Sequence, residues 1–83
     1  MNEQIEALHA DAVAAIGAAD SLQTLEELRV RFLGRRSDLT ALRKGIGGLA
    51  PDQRPTVGKL LTDLQGVITS TLESRTEAIR QEE

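Results

Sequence analysis

Seven residues of this chain, Leu25, Leu28, Phe32, Arg35, Leu39, Leu42 and Ile46, are spaced alternately three and four apart. On a helix that spacing draws one narrow seam, as in a coiled coil, and only Arg35 departs from it in chemistry. A seam of this kind must be covered by another helix. Phe32 is the single aromatic residue among 83, so packing falls to Leu, Ile, Val and Ala. Helices meeting along narrow lines suit that composition better than a globule built around several aromatics. The length bounds the answer to one small domain or a piece of a longer chain, with a thin core.

The flanking segments supply the cover. Residues 1–19 read as an amphipathic helix: Ile5, Leu8, Ala12, Ala15 or Ile16, and Ala19 recur at helical spacing, with Glu3, Glu6 and Asp11 elsewhere on the wheel. Gly17 and Asp20-Ser21 mark its end. Asp20 or Ser21 can cap the next helix, and Thr24 with Glu27 offers a capping box slightly later. The register of the seam survives Gly34, which predicts one helix over 21–46 that kinks there. Glycine costs about 1 kcal/mol against alanine inside a helix, so a break, with Ser37 capping a restarted helix, is the alternative. The run Gly45-Ile46-Gly47-Gly48-Leu49-Ala50-Pro51 ends the helix in a C-cap and turn over 47–51. It is not read as a phosphate loop, because no strand precedes it and the GxGxxG and GKS/GKT patterns are missing despite Lys44 beside it.

A last helix begins near Asp52, which places Pro55 in the first turn, where no amide donor is required. Val57, Leu60, Leu61, Leu64, Val67, Ile68, Leu72 and Ile79 then trace its apolar face to residue 82. No capping glycine follows, and the natural protein is expected to continue past Glu83. The expected fold is all-α, one helical domain over 1–83. It consists of an antiparallel helical hairpin, a coiled-coil arm of 21–46 against 52–82, with a short N-terminal helix packed near its base at the open end. Twenty-five helical residues span about 38 Å, so the hairpin is an arm rather than a ball.

Charge is distributed unevenly along this arm. Arg29, Arg31, Arg35, Arg36, Arg43, Lys44, Arg54 and Lys59 fall in one window with only Asp38 and Asp52, for a net +6, while the remaining residues carry −9. In the heptad frame Arg29, Arg36 and Arg43 line one edge of the seam. Lys44 and Arg54 cluster near the tip, and Lys59 follows one turn into the return helix. Asp63 is placed to reach Arg35 or Arg36 across the hairpin. Two acids cannot neutralise eight bases, so the window is a candidate surface for a polyanion, with phosphate backbone the natural counterpart. With no stacking aromatics, base readout is not expected, and the contacts should follow backbone and shape, as on a folded RNA.

Other chemistry is poorly supplied. Cysteine is lacking and His9 is the only histidine, which removes disulfides, thiolate chemistry and histidine-paired metal sites. Ser21, Ser37, Ser70 and Ser74 have no base in view, and Glu26-Glu27 reads as a helix face. No catalytic site and no metal site is expected in these residues. The N-terminus has acids where a signal peptide needs positive charge, and no run approaches the roughly 20 apolar residues of a membrane span. A cytoplasmic location, away from membranes, follows as the expectation.

The run LEELRVRFLGRRSDLTALRKGIGGLAPDQRPTVGKLL resembles the N-terminal arm of bacterial phenylalanyl-tRNA synthetase alpha subunits. Leu25 and Leu28 lead into Phe32-Leu33-Gly34-Arg35-Arg36. Leu39-Thr40, a short loop, Asp52-Gln53-Arg54-Pro55 and Gly58 follow in the family's order. Ser37 stands where the family usually has Gly, and Thr62 where it often has Asn. The resemblance implies a coiled-coil arm that contacts tRNA and lies outside the catalytic module. It also implies a parent class II enzyme that joins phenylalanine to its tRNA with ATP and magnesium, as an alpha-beta heterotetramer with a beta subunit. Taken with the charge pattern, it nominates Arg29, Arg36, Arg43, Lys44 and Arg54 as tRNA contacts, with Arg31, Lys59 and Arg35 behind them, Arg35 because it falls on the seam. Two alternatives remain open: a seryl-tRNA synthetase-type arm, and a helical protein–protein module. An isolated arm is also expected to be able to self-associate through its exposed seam.

Overall fold

The computed structural model describes residues 2–82. Among them are four α-helices, α1 (Asn2–Ala18), α2 (Leu22–Leu33), α3 (Asp38–Gly45) and α4 (Arg54–Glu82), with a single 3-10 turn at Ile46–Gly48. The molecule measures 49 × 19 × 15 Å. Its radius of gyration is 14.0 Å, against about 12 Å for a compact chain of this length. The hairpin is formed by α2 and α3 running out and α4 running back, and the expected all-α arm is what the chain adopts.

The 29 residues of α4 form its backbone. Val57, Leu61, Leu64, Ile68, Leu72 and Ile79 are buried, and Val57, Ile68 and Ile79 stand 11 residues apart. Helix α1 repeats the device, with Ile5 and Ile16, and Leu8 and the Ala19 that follows its last turn, each 11 apart and buried. An 11-residue period keeps a face aligned on a nearly straight helix, where a seven-residue period would demand a left-handed supercoil. These two helices run parallel. Asn2 and Glu3 share a surface hollow with Leu49, Asp52 and Val57 near the tip, while Ile16 and Gly17 lie beside Thr71 and Arg75 toward the open end. The first helix therefore reaches further than expected. Its last residues lie at the base, but it runs nearly to the tip and packs on α2, α3 and α4. Ala12, fully buried, lets it approach closely.

The single helix predicted over 21–46 is two helices. Helix α2 ends at Leu33, Gly34 turns extended (φ −74°, ψ 175°), and Ser37 caps α3 by accepting from the Thr40 N–H at 3.2 Å. Ser21 caps α2 in the same way, from the Thr24 N–H at 3.1 Å. The broken backbone has room for glycine alone at this position. A Cβ built on Gly34 would collide with the Val30 carbonyl oxygen, which already accepts the Gly34 N–H at 3.0 Å. The seam nonetheless continues across it: Leu25, Leu28, Phe32 and Leu39 are buried, and Leu42 and Ile46 are half-buried against the same core. Arg35 does not belong to the seam. It lies in the non-helical turn, where the heptad count no longer describes its direction, and is exposed.

The reversal also differs in detail. Helix α3 tightens into the 3-10 turn rather than closing on a left-handed glycine, and no described glycine has a positive φ. Helix α4 starts at Arg54, two residues after the expected Asp52. Pro55 still falls in the first turn, where its missing N–H leaves nothing unpaired.

Candidate nucleic-acid interface

The most built part of the basic window is the turn between α2 and α3. The Ser37 N–H donates to the Gly34 carbonyl at 3.2 Å, which leaves Arg35 and Arg36 at the two central positions. The Thr40 hydroxyl donates to the same carbonyl at 3.0 Å and lies 3.1 Å from Ser37 Oγ. Ser37 is buried, and no buried side-chain polar atom among the described residues lacks a partner. The turn is thus anchored from beneath while both arginines project into solvent. Arg31, Arg35 and Arg36 line one hollow together with Val30, Gly34 and Asp38.

Elsewhere the eight candidate residues separate. Arg31 reaches back to α1, its Nη2 donating to Asp11 Oδ2 at 3.1 Å, and its guanidinium carbon sits 4.9 Å from the Phe32 ring centre. Arg29 pairs loosely with Glu26 at 3.8 Å and faces α4 near Thr76 and Arg80. Arg43 crosses the hairpin to donate to the neutral Gln65 Oε1 at 2.6 Å. Arg54 holds the tip together, donating from Nε to the Leu49 carbonyl at 3.2 Å and from Nη2 to the Gly47 carbonyl at 3.1 Å. Lys44 and Lys59 are exposed.

The uniform stripe of Arg29, Arg36 and Arg43 is therefore interrupted, because Arg36 stands in the turn. Asp63 makes no ion pair with Arg35 or Arg36. Only Arg29 and Arg31 have a carboxylate partner among the described residues, so Arg35, Arg36, Arg43, Lys44, Arg54 and Lys59 keep an uncompensated charge. All six are exposed. Attraction between such groups and a polyanion is screened by salt.

The charge window leaves out two basic residues, Arg75 and Arg80. Arg75 Nε donates to the Ala19 carbonyl at 2.9 Å, tying the end of α1 to α4. Its signal was available, since Arg75 interrupts the apolar spacing of α4 between Leu72 and Ile79. Arg80 joins Arg29 at the open end and carries no comparable signal. Among the described residues no three His, Cys, Asp or Glu side chains gather as metal ligands, and no helix is long and apolar enough to cross a membrane.

Comparison with known proteins gives this surface its setting. The family model described as the aminoacyl tRNA synthetase class II N-terminal domain matches residues 20–83. The chain is 40% identical over 82 residues to a phenylalanine–tRNA ligase alpha subunit of Geotalea uraniireducens, covering 99% of this chain and 24% of that protein. Proteins of the same name from Halalkalibacterium halodurans and Clostridium beijerinckii are each 39% identical over 83 residues, covering 100% of this chain and 24% of theirs. The chain thus spans about a quarter of the length of these relatives. With a matched region that takes in the Gly34–Thr40 turn, the tip and all of α4, it belongs to the class II aminoacyl-tRNA synthetase N-terminal domain family.

Proposed function

We propose that this chain is the tRNA-contacting arm of a phenylalanine–tRNA ligase alpha subunit. The carrying observation is a 49 Å rod with six exposed cations that form no ion pair among the described residues, in a family whose relatives bear that ligase name. Arg29, Arg36, Arg43, Lys44 and Arg54 are the proposed backbone contacts, with Arg31, Lys59 and Arg35 beside them. Phe32, the only aromatic, is 1% exposed, which leaves no platform for stacking bases and favours recognition of phosphates and overall shape. The arm positions the substrate RNA and does none of the chemistry. ATP and magnesium are used by the rest of the parent enzyme, which works in the cytoplasm as an alpha-beta heterotetramer with its beta subunit.

The test is titration of the 83-residue chain against unfractionated tRNA between about 50 and 200 mM salt. The expected result is weak binding whose logarithm falls linearly with the logarithm of salt, with several counterions released. Lack of binding at the low end of that range, or affinity indifferent to salt, overturns the proposal.

A further inference from the structure

We infer that Arg31, Arg35 and Arg36 form a single phosphodiester-binding hollow, that Thr40 is its positioning residue, and that Asp11 occupies Arg31 in the free protein. The inference rests on the reading of the chain as a tRNA arm and names where on it the RNA backbone is gripped.

Three guanidinium side chains line one hollow together with the carboxylate of Asp38, and Asp11 pairs with Arg31 from α1. Guanidinium is the side chain best matched to phosphate, because its planar fork donates two parallel hydrogen bonds. Surface arginines ordinarily lose freedom when they grip a ligand. Here the backbone beneath Arg35 and Arg36 is already ordered by the Ser37 N–H and the Thr40 hydroxyl, both donating to the Gly34 carbonyl. Preorganisation of that kind lowers the cost of binding. Arg31 is differently placed. Its bond to Asp11 is more than half exposed on both sides, and a carboxylate presents to guanidinium the same kind of anionic oxygen as a phosphate. A backbone phosphate entering the hollow exchanges for Asp11 at little cost, since an exposed pair contributes little by itself. The half-exposed Asp11–Arg31 pair thus sets a modest brake on affinity.

The experiment compares tRNA binding by Arg35→Ala/Arg36→Ala with Arg43→Ala/Lys44→Ala, which removes the same charge elsewhere. The first should weaken binding about tenfold and lower the salt slope by about 1.5 to 2; the second should do distinctly less. Thr40→Val should weaken binding about threefold with helicity retained, and Thr40→Ser should restore it. Asp11→Asn should tighten binding more than Glu6→Gln, an equal charge change elsewhere on α1. Equal losses in the two double variants would mean diffuse charge and overturn the hollow while the tRNA-arm reading stands. No binding by the unaltered chain at low salt would remove both. Failure of Thr40→Ser to recover, or no tightening in Asp11→Asn, would remove the positioning or the braking role.

Discussion

Replacing Gly34 with alanine sets two physical arguments against each other. The backbone there, φ −74° and ψ 175°, is comfortable for alanine. Fewer unfolded conformations would then make Gly34→Ala stabilising by about 0.4–1 kcal/mol. The packing says the opposite. The new Cβ meets the Val30 carbonyl oxygen, a backbone atom that cannot rotate away. Shifting Gly34 instead disturbs its own N–H bond to Val30 and the two bonds its carbonyl accepts, from Ser37 and Thr40. Each contributes about 1 kcal/mol. Running the helix straight through the turn would sacrifice the Ser37 cap, for about another 1 kcal/mol. Losing two or three such contributions outweighs the entropic gain, and we expect net destabilisation of about 1–2 kcal/mol. That corresponds to a Tm lower by about 4–16 °C for a domain of this size. Gly66 is the control. It lies inside α4 with nothing within 4 Å of a built Cβ, so Gly66→Ala should raise Tm by about 4–8 °C through helix propensity alone. Thermal unfolding followed by circular dichroism at the helical band reads both signs. If Gly34→Ala melts higher than the parent and gains helicity, the break is a matter of propensity and the steric argument is refuted.

The tip and the core give two further tests. Arg54→Lys keeps the charge but cannot span the Leu49 and Gly47 carbonyls with a fixed fork. It should cost about 0.5–1.5 kcal/mol and speed amide exchange over 46–53 while leaving tRNA affinity nearly unchanged; unaltered exchange there would show that the two bonds do not hold the turn. Phe32→Ala empties the centre of the bundle and should cost about 3–5 kcal/mol, a large share of the roughly 4–12 kcal/mol expected for 83 residues. A denaturation midpoint that barely moved would place the core elsewhere.

What the amino-acid order determined by itself is what helical geometry makes periodic. The spacing of Leu25, Leu28, Phe32 and Leu39 required a covering helix, and the apolar face from Val57 to Ile79 supplied it. Ser21 was readable as a cap because its partner, Thr24, is three residues away. The charge window was legible because it is a property of the segment itself. The register of the seam could not decide the break at Gly34. Apolar spacing passed unbroken over it, while the close contact that requires glycine there is with a carbonyl four residues back, under a turn held by the Ser37 N–H, the Ser37 cap and the Thr40 hydroxyl. Nor could it say which cations stay uncompensated. Arg31 finds Asp11 across 20 residues, Arg54 turns to the tip carbonyls, and Arg75 ties α4 to Ala19 across 56. Those choices depend on which helices adjoin and at what height, and side-chain polar bonds reach only about 3 Å. Periodicity therefore shaped the arm, and the tertiary packing selected the arginines left to face a partner.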